Sequence, residues 1–225
     1  DSIQAGAKKV IVSAPCKNAD KTVVFGINHK KITNKDKVIS VASCTTNCLA
    51  PVVSVINENF GIEKGYMTTV HAYTSDQRLL DNSHKDLRRA RSAPNSIVPT
   101  STGAAKSLRM IIPEIANKID GISLRVPVPN VSLVQFNFLT KNIVTEKKIN
   151  NSFIKASNTN LKNIMGVEAM PLVSSDFNHD TRSSIIDLSL TKVLGGRYGT
   201  VFSWYDNEWG FANRMNDLAI FMKKT

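Results

Sequence analysis

The sequence predicts an α/β fold: the tail of a parallel sheet, followed by an α+β domain with a large, mainly antiparallel sheet. Early in the chain, short apolar runs with β-branched centres are separated by polar turns, and one of them, residues 38–42, leads directly into a helical pattern. Strands that alternate with helices are typical of parallel sheets. The later part carries four long alternating runs with one helix between them, at residues 122–128, 131–141, 183–193 and 198–205. Such strands predict an antiparallel sheet that is covered on one side.

The first part of the chain predicts the end of an αβ unit. A short helix-like stretch ends at Gly6, and residues 8–15 and 22–28 are predicted as buried strands. Because a helix in that position would have nothing earlier to pack on, we expect this chain to be a fragment of a longer protein. The last helix, with an apolar stripe from Phe211 to Met222, is expected to dock on this partial unit.

A cysteine occupies the first turn of the next predicted helix. An apolar stripe recurs at helical spacing over residues 49–60, and Ser43 is a helix-start signal directly before Cys44. A thiol in the first turn faces unpaired amides and the positive end of the helix dipole, which favours the nucleophilic thiolate. The alternative is a buried structural cysteine, which we expect of Cys48. Pro51 lacks an N–H group, so a local irregularity is expected there.

A histidine on the following strand is the candidate partner of Cys44. Residues 66–74 alternate as a strand that carries His71, whereas the other three histidines lie in polar, turn-like contexts. A strand histidine is usually structural, but a cysteine nucleophile needs a base or an imidazolium partner. The residues alone leave both roles open for His71.

Residues 75–99 form a long segment with little apolar periodicity and five Lys or Arg side chains. A loop of this length is typically functional or disordered. It fits a solvated basic face, a nucleic-acid patch or an arginine cluster for phosphate groups. Because it holds no aromatic residue for base stacking, the phosphate site is favoured. Residues 100–105 then open a helix that is predicted to run to about residue 119, and hydroxyl groups and free amides at a helix start can bind an anion.

Arg125 is a further candidate for binding an anion. It lies between two apolar residues in the predicted strand 122–128. An arginine in such a setting needs a partner or a ligand. A buried structural ion pair is the alternative.

The composition is that of a globular chain of 225 residues, 42% hydrophobic and 21% charged. No apolar run approaches the ~20 residues of a membrane span, and we expect no secretory signal. Three cysteines, without a second Cys or His pair at ligand spacing, predict neither a disulfide framework nor a metal site. The net charge of +11 fits nucleic acid, an anionic membrane, small anionic substrates, or solubility alone.

Six segments of the chain carry recognisable motifs. They are SCTTNCLAP at 43–51, TTVHAYT at 68–74, HKDLRRAR at 84–91, PTSTGAAK at 99–106, LRVPVPNVS at 124–132 and WYDNEWG at 204–210. Together and in this order they closely resemble the glyceraldehyde-3-phosphate dehydrogenase family. The resemblance implies three parts: residues 1–43 as the end of a Rossmann-like NAD(P)-binding domain, 44–206 as the catalytic domain, and 207–225 as a helix that returns to the NAD(P)-binding domain.

The resemblance also implies a phosphorylating oxidation of an aldehyde. Cys44 would form a thiohemiacetal with glyceraldehyde 3-phosphate, and His71 would act as general acid and base while a hydride passes to NAD and leaves a thioester. Inorganic phosphate would then release 1,3-bisphosphoglycerate. Thr74 and Arg125 match residues that hold the substrate's phosphate. Ser43, Thr45, Arg89, Thr102 and Gly103 match contacts to the attacking phosphate or the bound substrate, and Ser13 and Asn207 match nucleotide contacts.

The nucleotide site is where this sequence departs from the whole enzyme. No G-x-G-x-x-G follows a strand, because the family carries that fingerprint upstream of residue 1. We therefore expect the chain alone to bind NAD weakly and to turn over little. Asn82-Ser83 stands where NAD-specific members usually have a proline, so NADP use stays open. The resemblance further implies a homotetramer in the cytoplasm, with a plastid location open for a photosynthetic-type member.

Three other activities remain as alternatives. Erythrose-4-phosphate dehydrogenase shares the cysteine motif, although that branch differs at the helix start over residues 101–105. A thiol hydrolase using Cys44 and His71 would need an orienting carboxylate or amide. A basic polyanion-binding protein fits the charge but lacks a patch interleaved with aromatic residues. We predict no membrane partner and no specific nucleic-acid partner.

Overall fold

Two sheets organise the protein in the computed structural model, which describes residues 2–224. The smaller sheet is parallel and has the order β1-β3-β2. Its strands are β1 (Val10–Val12), β2 (Lys21–Thr22) and β3 (Val38–Ser40). Because the strands are parallel, their carboxyl ends share one edge, and the chain leaves β3 at that edge toward Cys44.

The larger sheet has seven strands in the order β5-β6-β4-β7-β10-β9-β8. They are β4 (Ile62–Ala72), β5 (Val98–Thr100), β6 (Ile119–Val126), β7 (Ser132–Thr140), β8 (Met165–Glu168), β9 (Ser184–Leu194) and β10 (Tyr198–Tyr205). The pairs β4–β6 and β8–β9 are parallel, and the other neighbours are antiparallel. The predicted fold class, a small parallel sheet beside a large and mainly antiparallel one, is confirmed.

Helices cover the large sheet and fix the position of Cys44. Over the described residues they are α1 (Cys44–Phe60), α2 (Ala104–Ile111), α3 (Glu146–Asn158) and α4 (Trp209–Lys224). The inner stripe of α1, with Leu49 and Ile56, shares one core cluster with Phe136 of β7 and Val201 of β10. Each buried aliphatic side chain contributes about 1.5–3 kcal/mol, so this stripe holds α1 firmly on the sheet. Among the residues that the structure describes, no helix is both long and apolar enough to span a membrane.

The last helix docks on the small sheet, as predicted. Leu218 and Met222 of α4 are buried in one cluster with Ile39 and Val41, which belong to β3 and the residues after it.

The strand predicted over residues 22–28 was wrong. Only Lys21–Thr22 forms β2, and the chain then turns. The Asn28 side chain accepts a hydrogen bond from the Val24 amide at 2.8 Å and donates one to the Thr22 carbonyl at 3.0 Å. Such side-chain bonds compete with a strand ladder, and Gly26 adopts φ +89°, which few other residues tolerate.

Two helix predictions also need correction, and two strands were missed. The helix that begins at Ala104 ends at Ile111 instead of near residue 119, because Pro113 cannot continue it and Ile119 starts β6. No irregularity occurs at Pro51, since α1 runs through it from Cys44 to Phe60. A proline inside a helix costs about 3 kcal/mol, which the buried stripe of α1 offsets. The missed strands are β5 and β8, whose three and four residues are too short a run to predict.

Candidate active site

The candidate nucleophile lies at the junction between the small sheet and α1. Ala42 adopts φ +57°, a left-handed conformation that turns the chain from β3 into the helix. Ser43 is the N-cap, and its hydroxyl oxygen accepts the Thr46 amide at 3.1 Å. Cys44 is therefore the first residue of α1, as the sequence predicted, and its thiol is half-buried. Sparsely populated backbone conformations of this kind cluster at functional sites.

The structure places His71 beside Cys44. His71 lies near the carboxyl end of β4, and its Nε2 is 3.4 Å from the Sγ of Cys44. The imidazole is only 3% exposed. Its edge faces the ring of Tyr205, with ring centroids 5.9 Å apart. Two residues that the sequence proposed on chemical grounds alone thus form a thiol–imidazole pair.

Arg125 closes the other side of the imidazole. It is the direct partner of His71 in the parallel pair β4–β6, and its Nη1 lies 2.6 Å from Nδ1 of His71 and 3.0 Å from the Ala72 carbonyl oxygen. A guanidinium has donors only, so Nδ1 must be the acceptor and the proton is assigned to Nε2. Nε2–H then points at the sulfur of Cys44. The Ala72 oxygen is itself 2.6 Å from Nδ1, which would favour the opposite tautomer if Arg125 moved away.

Burial dominates the protonation of this pair. Desolvation, and then the charge of Arg125, lower the pKa of His71 to about 4. Burial raises the pKa of the Cys44 thiol, opposed by hydrogen bonds from Thr45 and by the charge of Arg125. The thiolate expected from the helix start is therefore outweighed by burial, and thiol and imidazole are both neutral at pH 7. Burial also lowers the pKa of Arg125.

The buried Tyr205 contacts the imidazole of His71 and the hydroxyls of two threonines. The Tyr205 hydroxyl lies 2.9 Å from the Thr45 hydroxyl and 2.8 Å from that of Thr69. The side chain of Thr45, a predicted phosphate contact, is thus engaged in the interior, which leaves its backbone amide as the group available to an anion. The hydroxyl of Ser43 is likewise engaged, because it caps α1, so the backbone amide of Ser43 is the group available to an anion.

A network of polar side chains surrounds the other predicted phosphate residues. Arg89 donates to the Thr100 hydroxyl and to an oxygen of Asp76, both at 2.7 Å. The amide and hydroxyl of Thr74 are 3.0 and 3.3 Å from Oε1 of Gln77, whose Nε2 is 3.2 Å from Asp76. Arg89 and Thr74 are therefore joined through Gln77 and Asp76.

The start of α2 belongs to the same network. Arg89 Nη2 lies 3.4 Å from the Ser101 hydroxyl, one residue before Thr102. Thr102 accepts the Ala104 amide at 3.2 Å, and Gly103 is the exposed N-cap residue. Nothing lies within 4 Å of where a Cβ on Gly103 would be, so the helix start is open to a ligand.

The two predicted nucleotide contacts lie in different settings. Asn207 is buried, and its Oδ1 accepts from the Ser132 hydroxyl at 2.8 Å. The same hydroxyl oxygen accepts the Ala72 amide at 3.1 Å, so Asn207 is two hydrogen bonds from the residue after His71. Ser13 is exposed just beyond β1, and no hydrogen bond among the described residues joins it to the Cys44–His71 pair.

Sequence reasoning missed the residues that hold these groups in place. Tyr205 and Ser132 act through contacts between strands that are distant in sequence, so no local pattern predicts them. Gln77 acts within its own loop, on Thr74 and Asp76. Asp76 could have been proposed from the sequence as an ion-pair partner, because it is a carboxylate within the basic segment of residues 75–99. No cluster of three or more His, Cys, Asp or Glu residues suited to a metal ion occurs within residues 2–224.

The chain matches a known family over most of its length. Residues 43–207 match the family described as "Glyceraldehyde 3-phosphate dehydrogenase, C-terminal domain". Proteins named glyceraldehyde-3-phosphate dehydrogenase from Xanthobacter flavus and Zymomonas mobilis are 55% and 53% identical over 222 and 225 residues, each match covering 99% of this chain and 66% and 67% of the relative. A protein of that name from Cereibacter sphaeroides is 52% identical over 220 residues, which cover 98% of this chain and 66% of the relative. The chain thus spans about two thirds of the length of these curated relatives. It belongs to the glyceraldehyde-3-phosphate dehydrogenase family.

Proposed function

We propose that this chain carries the catalytic part of a phosphorylating glyceraldehyde-3-phosphate dehydrogenase. The reaction converts glyceraldehyde 3-phosphate, inorganic phosphate and NAD(P)+ into 1,3-bisphosphoglycerate and NAD(P)H. The observation that carries the proposal is the 3.4 Å contact between Cys44 Sγ and His71 Nε2, with the guanidinium of Arg125 2.6 Å from Nδ1 of the same imidazole. The names of the relatives support the same reaction.

Cys44 is the proposed nucleophile. Its sulfur forms a bond to the aldehyde carbon, and the thiol proton passes to the carbonyl oxygen, which gives a thiohemiacetal hydroxyl. As the carbon gives up its hydride, the hydroxyl proton passes to His71 and a thioester remains on sulfur. A phosphate oxygen then attacks the thioester carbon and the sulfur–carbon bond breaks. The phosphate proton returns to the sulfur, and His71 releases its proton to solvent.

His71 needs a free lone pair on Nε2 to accept that proton. The imidazole provides it in the tautomer whose Nδ1–H is donated to the Ala72 oxygen, the contact of 2.6 Å already present. The guanidinium of Arg125 must then leave Nδ1. We propose that the substrate's phosphate draws Arg125 toward itself, because a phosphate is a stronger acceptor for a guanidinium than a neutral imidazole is. Thr74 is the proposed second contact to that phosphate.

The attacking phosphate is assigned to the groups around Arg89 and the start of α2. Backbone amides at Ser43, Thr45 and Gly103, together with the hydroxyl of Thr102, complete the proposed contacts. A helix start beside an arginine is a favourable place for an anion. The salt bridge between Arg89 and Asp76 at 2.7 Å must open or share its donors when phosphate binds.

The residues present fit one end of a nicotinamide cofactor. Because Oδ1 of Asn207 is engaged by Ser132, its Nδ2 remains as a donor for a carboxamide oxygen. Ser13 is the second proposed contact. When bound, the nicotinamide supplies the hydride acceptor. Both NAD and NADP stay within the proposal, since Ser83 is exposed in the loop where the family distinguishes them.

The proposal includes the setting in which the enzyme works. We propose a homotetramer located in the cytoplasm, in keeping with the three free cysteines, and a plastid location is the alternative. The division into residues 1–43, 44–206 and 207–225 remains a prediction.

Replacing the nucleophile tests the proposal. The complete protein should give a burst of NADH with glyceraldehyde 3-phosphate, and the Cys44→Ser variant should lose that burst by at least a thousandfold. Cys48→Ser is the matched control and should keep it. Turnover of erythrose 4-phosphate in preference would favour the sister dehydrogenase, and thiol-dependent ester hydrolysis without any NADH would favour a hydrolase.

A further inference from the structure

A cavity lies away from the Cys44–His71 pair. It has a volume of about 650 Å³ and is bounded by the segment after β1, by β2 and by the last turns of α2. None of the residues proposed for catalysis, phosphate or nucleotide binding lines it. Its size is within the range of small-molecule sites. We call it the Lys31 pocket, after the lysine at its rim.

The charge of the Lys31 pocket is one-sided. Four cationic side chains line it, namely Lys17, Lys21, Lys31 and Arg109, against the single carboxylate of Asp20. Asp20 is already engaged, because it accepts the amides of Lys37 and Val38, each at 2.8 Å. These bonds lower the pKa of its carboxyl. Four cations against one carboxylate leave an excess of positive charge, which attracts anions.

Three of the four cations are unpaired. Lys21 forms an ion pair with Asp36 at 3.5 Å. Within residues 2–224, Lys17, Lys31 and Arg109 have no carboxylate within ion-pair distance. The free donors of the Lys31 pocket are therefore available to a ligand.

The lining also has an apolar part, beside the polar side chains of Thr22, Asn28 and Ser107. Pro15, Ala19 and Met110 contribute to it, and Met110 is 54% exposed although it belongs to α2. A thioether on an open wall packs well against a flat or irregular apolar group. The cavity thus combines a place for several negative charges with a place for a planar body.

We propose that the Lys31 pocket binds a nucleoside polyphosphate, with its phosphates between Lys17, Lys31 and Arg109 and its base against Met110. Several phosphate oxygens are needed to use three separate cations, and a bare phosphate would leave the apolar wall unused. The proposal is independent of the dehydrogenase reaction, because the two sites share no residue.

Cys16 provides a readout that does not depend on catalysis. Its free, half-buried thiol lines the Lys31 pocket. On the complete protein, with saturating NAD+ present to occupy the cofactor site, alkylation of Cys16 by iodoacetamide is followed by mass spectrometry of its peptide. We expect saturating ATP to slow this alkylation at least fivefold. Adenosine has only the base and the sugar, and tripolyphosphate has only the phosphates. Each should need at least a tenfold higher concentration than ATP to give the same protection of Cys16.

A charge-matched pair of variants locates the effect. Lys31→Glu with Arg109→Glu should weaken the protection by ATP at least tenfold, whereas Lys147→Glu with Lys162→Glu, which alters two exposed cations elsewhere, should change it less than twofold. Lys31→Gln with Arg109→Gln repeats the test without charge reversal. No protection by ATP, or equal loss in the matched pair, would overturn the site. Equal protection by tripolyphosphate would overturn the nucleoside, and equal protection by adenosine would overturn the phosphates.

Discussion

Removing the charge of Arg125 should change both the pKa and the tautomer of His71. In Arg125→Met the donor 2.6 Å from Nδ1 is lost, while the burial of the imidazole remains. Two unit charges at 4 Å interact by about 4 kcal/mol at an effective dielectric constant of 20, and partial exposure of the guanidinium reduces this to roughly 1–2 kcal/mol. Since 1.36 kcal/mol corresponds to one pKa unit, the pKa should rise from about 4 to about 5. It should stay below 6.5, because desolvation is the larger cause.

The tautomer should reverse in the same variant. With Arg125 present, Nδ1 accepts a charge-assisted hydrogen bond worth about 1.5–3 kcal/mol, which favours Nε2–H by at least about tenfold. Without it, Nδ1–H can be donated to the Ala72 oxygen at 2.6 Å. Nitrogen chemical shifts of the imidazole, measured by NMR as a function of pH, report both quantities, and a His71→Gln variant identifies the signals.

Arg88→Met is the matched control, because it removes an equal charge from an exposed side chain in the loop over residues 75–99. It should leave the pKa of His71 within a few tenths of a unit. Finding Nδ1–H in the protein with Arg125, or the same pKa in Arg125→Met and in the unchanged protein, would refute the assigned hydrogen bonding.

Three further predictions concern acid stability, the buried tyrosine and the cofactor. The pKa of His71 is about 4 in the folded protein and about 6.5 in the unfolded chain, so between these pH values only the unfolded chain binds the proton. The free energy of unfolding should therefore fall by about 3 kcal/mol from pH 6.5 to 4. Denaturant melts measure this fall, and the same pH dependence in a His71→Gln variant would contradict the prediction. Tyr205→Phe leaves the hydroxyls of Thr45 and Thr69 without their partner and should lower the free energy of unfolding by about 1–3 kcal/mol. The control Tyr198→Phe, at an exposed position, should lower it by less than about 0.5 kcal/mol, and equal melting midpoints for the two variants would argue against the buried network. Titration of this chain alone should show NAD binding at least tenfold weaker than the complete protein shows, since it lacks the glycine-rich fingerprint, and equal affinity would refute that reasoning.

The strands and helices that the sequence predicted well are those with long periodic patterns. The stripes of α1 and α4 and the alternation in β7, β9 and β10 record which face is buried, and burial decides their structure. The prediction over residues 22–28 was wrong because side-chain bonds from Asn28 replace the ladder that an apolar run would form. Periodicity carries no information about such local competition.

The candidate site was partly predictable for a related reason. Cys44 could be placed because a helix start is a local feature, and His71 was selected by chemical need. Their contact depends on β4 lying beside α1, which the sequence did not specify. The support from Ser132 and Tyr205 depends on the register of β7 and β10 with their neighbours, so it became visible only in the assembled sheet.

The pairing of Arg125 with His71 gives the proposed reaction a way to link substrate binding to base strength. A phosphate that draws the guanidinium from Nδ1 removes the second cause of the low pKa of His71 and permits the tautomer whose Nε2 accepts a proton. By linkage, the form of His71 that serves as base also binds the phosphate more tightly, because Arg125 is then free to meet it. Before the substrate arrives, the same contact keeps the imidazole a poor base beside a neutral thiol. The 2.6 Å spacing between Nη1 and Nδ1 would then restrain the reactivity of Cys44 until a phosphorylated aldehyde is in place.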